Sequence, residues 1–86
     1  MSTFAVIERQ IQIIAKVQGK HIAPLTGGLV LLDSGLDSMS LAILVGRLED
    51  ELGVDPFAEA DDQAFPTTLG DLVTFYDRAI EARNQP

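Results

Sequence analysis

The sequence contains no cysteine, so its own side chains can build neither a disulfide nor a thiolate nucleophile. Any thiol used here has to arrive on an attached group. Basic residues are also scarce, with 6 Lys and Arg against 13 Asp and Glu, a net charge of −7. Such a surface repels a nucleic-acid backbone and an anionic lipid face, and it attracts partners carrying Lys/Arg patches. Neither nucleic acid nor membrane is therefore an expected partner. No apolar run has the length needed to cross a bilayer. The first ten residues lack a basic start followed by an apolar run, so no secretory signal is read and a cytoplasmic location is expected. His21, the single histidine, stands in a loop with no acidic or cysteine cluster beside it and reads as an ordinary surface residue.

What remains is apolar enough to fold. Hydrophobic residues make up 47% of the 86, which argues against a disordered acidic tail. The length suits one small domain over residues 1–86, and a core of that size is built more easily from helices than from a large sheet. Phe4, Ile7, Ile11, Ile14 and Val17 form a helical stripe, with Val6 and Ile13 at its edge. Ser2 or Thr3 can cap this first helix and Gly19 can end it. Gly19 to Asp37 is a long connection. Its apolar run Leu29-Val30-Leu31-Leu32 reads either as a short buried strand or as a loop crossing the bundle, with Ile22, Leu25 and Leu32 plugged into the core. A lone strand has no partner, which favours the loop.

The stretch from Leu31 to Val54 carries the strongest signal. Leu41, Leu44, Val45, Leu48 and Leu52 recur at helical intervals, and Gly53 stops the helix. Ser38 stands where the loop turns into this helix. The segment from Asp55 to Pro66 is bracketed by Pro56 and Pro66. It holds room for one short irregular helix anchored by Phe57 and Phe65. Asp61-Asp62 lacks the ligand spacing of a calcium loop and reads as a solvated turn. A last helix starts at Thr68, with Asp71 three residues on as a capping-box partner. Leu69, Leu72, Val73, Tyr76, Ala79 and Ile80 supply its stripe. The expected fold is all-α, three main helices plus a short irregular one, with a long loop between the first and second.

Gly35-Leu36-Asp37-Ser38-Met39 resembles the Asp-Ser-Leu motif of acyl and peptidyl carrier proteins, with Met39 where leucine is usual. Arg47 to Val54 is similar to the helix end found across carrier domains, and Phe65 to Leu72 to the start of their final helix. The resemblance implies 4′-phosphopantetheine esterified to Ser38, and a phosphopantetheinyl transferase that installs it from coenzyme A with Mg²⁺. It also implies an acyl- or aminoacyl-activating ligase and downstream acyl-transfer enzymes as partners of a stand-alone, monomeric carrier. Recognition is expected around Ser38 and along the outer face of its helix, through Asp37, Met39, Ala42, Ile43, Gly46 and Arg47. Ile43 and Arg47 interrupt the acidic character this helix has in fatty-acid carriers, which favours a specialised biosynthetic pathway.

Two other readings of Ser38 compete. Serine at a helix start is commonly an N-cap, stabilising by about 1 kcal/mol, which would leave a small acidic helical adaptor. Asp37 is an equally good cap, and then the Ser38 hydroxyl is free. A hydrolase nucleophile needs a base, an orienting acid and an oxyanion hole. Only His21 could be the usual base, and glycines two residues either side of the serine are missing. The chain is not expected to be an enzyme.

Overall fold

A computed structural model describes residues 2–59 and 66–84. Helix α1 spans Thr3–Gln18, α2 spans Ser38–Leu52, α3 is the single turn Pro56–Glu59, and α4 spans Leu69–Asn84. A 3₁₀ turn, Leu31–Asp33, lies in the connection between α1 and α2. The three long helices are the expected ones. Among the described residues there is no strand, only an isolated antiparallel bridge between Val30 and Thr68. Phe65, Asp61 and Asp62 lie outside the described residues.

Each boundary has a local cause. The Ser2 hydroxyl accepts from the Ala5 N–H at 3.1 Å and caps α1, which Gly19 ends in the left-handed conformation. Thr68 and Asp71 form the expected reciprocal box: the Asp71 N–H donates to Thr68 Oγ1 at 3.1 Å, and the Thr68 N–H to Asp71 Oδ2 at 3.3 Å. Arg83, in the last turn of α4, donates to the carbonyls of Leu52 and Gly53 and so covers the C-terminal end of α2.

α1 packs against both α2 and α4, and α3 lies on α4. The core is one cluster of Ile7, Ile11 and Ile14 from α1, Leu41, Leu44 and Leu48 from α2, and Leu69, Leu72 and Tyr76 from α4. Leu31 and Leu36 add to it from the connection, with Ile22 and Leu25 packed at its edge. The connection is thus the crossing loop. Phe57 anchors α3 through ring contacts to Phe75, at 4.8 Å between centroids, and to Tyr76 at 6.2 Å.

Two expected core residues face outward. Leu32 is 76% exposed while its neighbour Leu31 is buried. Within a 3₁₀ turn successive side chains point about 120° apart, so only one of the pair can enter the core. Val17 is 81% exposed. Eleven residues is close to three helical turns, so Val17 lies on the side of α1 that buries Val6. In the last turn that side is open among the described residues. Among the described residues three polar ones, Gln10, Ser34 and Ser40, are buried where the apolar pattern gave no hint of them.

Candidate functional site

The loop before α2 is shaped by Gly35, whose φ of 102° is unfavourable for residues with a Cβ. A Cβ there would come 2.4 Å from the carbonyl oxygen of His21, so the two ends of the connection are closely apposed. The Ala23 N–H donates to the Ser34 carbonyl at 2.9 Å across the same contact. Buried Ser34 holds the turn, its hydroxyl donating to the Leu31 carbonyl at 2.6 Å and accepting from the Leu36 N–H at 3.3 Å. Leu36 enters the core, and the chain emerges at Asp37 ready to start α2.

Asp37 is the N-cap. Its Oδ1 accepts from the Ser40 N–H at 2.8 Å, and its Oδ2 accepts from Lys20 Nζ at 2.8 Å. The Lys20 ammonium, followed by the Ser40 N–H and hydroxyl, holds the Asp37 carboxyl well below the usual carboxylate range. Ser38 is therefore the first helical residue and not the cap. It is exposed, and its hydroxyl has no hydrogen-bond partner among the described residues. It opens onto an apolar cleft of about 400 Å³, whose lining includes Val30, Leu32, Leu41, Ala42 and Pro66.

A free serine hydroxyl at a helix start, in a chain without thiols, suits attachment of a group better than catalysis. His21 is exposed, and its carbonyl, not its ring, is what the fold brings to Gly35. A model of the phosphopantetheine attachment site family matches residues 11–75. The chain belongs to this family. The match covers all of α2, the connection before it and the first half of α4. No curated protein and no solved structure gave a significant match.

Phosphopantetheine attachment domains are carriers, not catalysts, and hold 4′-phosphopantetheine covalently. Membership implies a phosphopantetheinyl transferase and acyl-processing enzymes as partners in general. The residues present fit the group. The arm begins in a phosphodiester, and the N-terminus of α2, with its unpaired N–H groups and positive dipole end, favours an anion. Lys20 adds a cation beside the same turn.

The expected recognition residues divide along α2. Met39 is 72% exposed beside Ser38, and Ala42 lines the cleft together with Ser38. Ile43 is 41% exposed, so it faces outward, as does Gly46. Arg47 lies nine residues on, about 13 Å along the axis. Its Nε donates to Gln10 Oε1 at 2.6 Å, while Gln10 bonds Glu51 and Glu51 pairs with Arg9. Arg47 thus belongs to a polar clasp between α1 and α2. The sequence pattern missed Lys20, Gln10 and Gln18, because polar residues joined across antiparallel helices leave no periodic signal.

Proposed function

We propose that Ser38 carries the 4′-phosphopantetheine arm, and that residues 1–86 act as a carrier domain shuttling thioester-bound acyl or aminoacyl groups. The groups pass between an activating ligase and later acyl-transfer enzymes of a specialised biosynthetic pathway. The observation that supports this most is the exposed hydroxyl of Ser38, without a hydrogen-bond partner among the described residues, beside a cap that Asp37 already provides. Were Ser38 only a cap, as in an adaptor, its oxygen would be engaged with the first turn.

In the loading step the Ser38 oxygen bonds to the pantetheine-bearing phosphorus of coenzyme A. The pyrophosphate bridge breaks, adenosine 3′,5′-bisphosphate leaves, and the hydroxyl proton passes to a base on the transferase. Ser38 supplies the oxygen, Asp37 fixes the first turn, and the end of α2 accommodates the new charge. When bound, the arm supplies a terminal thiol that holds acyl groups as thioesters, at high effective concentration near partner enzymes. Asp37, Met39, Ala42, Ile43 and Gly46 form the docking face, with Met39 and Ile43 as its apolar part, and Arg47, held to Gln10, stands at its far edge.

Intact-protein mass spectrometry tests the reading, after incubation with coenzyme A, Mg²⁺ and a broad-specificity phosphopantetheinyl transferase. A mass gain equal to the arm, absent from Ser38→Ala, is expected. No gain with several transferases, on folded protein, would return the chain to the adaptor reading.

A further inference from the structure

Lys20 follows the Gly19 cap of α1 and reaches across to the start of α2. Its Nζ donates to Asp37 Oδ2 at 2.8 Å and to Ser40 Oγ at 3.3 Å. These acceptors sit on the residue before Ser38 and on the residue two beyond it, so the ammonium is held against the turn that presents Ser38. The Ser40 hydroxyl donates in turn to Gln18 Oε1 at 2.6 Å, and Ser40 is fully buried, which fixes that end of the bridge. An ammonium has three donors, and two are used among the described residues.

Esterifying Ser38 with a phosphodiester puts a second negative charge next to Asp37. Two adjacent anions repel, and Asp37 is the group that caps α2. A cation bonded to the cap and lying over the same turn can offset that repulsion, and its remaining donor is available for a phosphate oxygen. We propose that Lys20 is the counter-cation of the loaded carrier, bridging Asp37 and the phosphodiester on Ser38 and keeping the first turn of α2 intact. This rests on Ser38 being the attachment residue. Lys20 is a positioning residue here and takes no part in the transfer itself.

A purely structural Lys20 and a counter-cation make different predictions for the unloaded and loaded forms. Urea unfolding of both forms would be compared for the native chain, Lys20→Met and Lys20→Arg, with Lys16→Met as a control in exposed helix. If Lys20 only supports the Asp37 cap, Lys20→Met shifts both forms equally, and the proposal is overturned. If it balances the phosphodiester, the unfolding constant of the loaded form rises about two- to fivefold more than that of the unloaded form, the size of an exposed ion pair. Lys20→Arg keeps the charge and should remove most of that excess, and 0.5 M NaCl should shrink it. Phosphorus NMR gives a readout independent of stability. The phosphodiester resonance should move in loaded Lys20→Met and stay in place in Lys16→Met; an unmoved resonance in both would overturn the proposal. If the native chain takes up no arm, the reading of Ser38 has failed and this one falls with it.

Discussion

At the scale of single residues, Asp37 and Tyr76 have pKa values displaced in opposite directions, with opposite consequences. Asp37 is pulled below its ordinary value of 3.8 by Lys20 and Ser40. Its charged form is favoured by folding, so its contribution to stability is present above the ordinary pKa. That contribution is lost as pH falls below about 4 toward the depressed folded value. Because Asp37 is well exposed, salt should weaken the effect. In acid titrations of stability, Asp37→Asn should therefore be less stable than the native chain at pH 7 and should lose less between pH 4 and pH 2. A parallel fall in both proteins would show that the pair contributes nothing. Tyr76 is the reverse case. Its ring fills the core with no exposed surface, and its buried hydroxyl has no partner among the described residues. Burial, with Asp55 and Glu49 adding to it, pushes the phenol up. Leaving a buried hydroxyl unpaired costs about 1–3 kcal/mol. Tyr76→Phe keeps the ring contacts with Phe57 and should leave stability in urea unchanged or raise it by about 1 kcal/mol. A clear loss would mean that the hydroxyl has found a partner in solution.

At the scale of elements, two glycines separate shape from propensity. Gly35 combines a positive φ with a backbone carbonyl where a Cβ would lie. Gly35→Ala should cost at least about 2 kcal/mol and slow loading of Ser38, because the loop that delivers Asp37 and Ser38 must shift. Gly46 lies inside α2 with open space around its missing Cβ. Gly46→Ala should stabilise by about 0.5–1 kcal/mol; a loss of stability would mean that the outer face of α2 is covered. The same two elements show what was legible from sequence. The helices were readable because their buried residues repeat at helical spacing and their caps are local: Ser2, Asp37, Thr68 and the glycines act within a turn. The position of Ser38 was readable for the same reason. The connection was readable as a loop crossing the bundle with Ile22 and Leu25 toward the core, but which of its leucines is buried was not, since Leu31 enters the core and Leu32 leaves it through a 3₁₀ turn that apolar content alone cannot reveal. Nor was the Lys20 bridge, which joins residues 17 and 20 apart in the chain.

At the scale of the whole molecule, charge and exposed apolar surface are separated. Among the described residues the exposed large apolar side chains are Val17, Leu32, Met39 and Ile43. Leu32 and Ser38 line the same cleft, Met39 adjoins Ser38 and Ile43 follows one turn later. Val17 precedes Gln18, which bonds Ser40. Residues 38–46 carry no ionisable side chain, and the nearest acid, Asp37, is paired with Lys20. The acids of α2 begin at Glu49, and Glu51 is already engaged by Arg9 and Gln10. A net charge of −7 invites the expectation that partners dock through basic patches, yet the surface around Ser38 offers them apolar contacts. Burying a methionine side chain is worth about 1.5–3 kcal/mol, roughly ten- to a hundredfold in association. Glu49 lies ten residues beyond Met39, about 15 Å along α2, and exposed charges at that distance from the surface around Ser38 are largely screened at physiological salt. Met39→Glu should therefore lower kcat/KM of the transferase reaction by about tenfold or more. Glu49→Gln with Asp50→Asn should change it less than about twofold, and raising NaCl from 0.05 to 0.5 M should have a similarly small effect. The opposite pattern, a steep fall with salt and tolerance of Met39→Glu, would place docking at the acidic end of α2. The cleft beside Ser38 would then lie outside the contact.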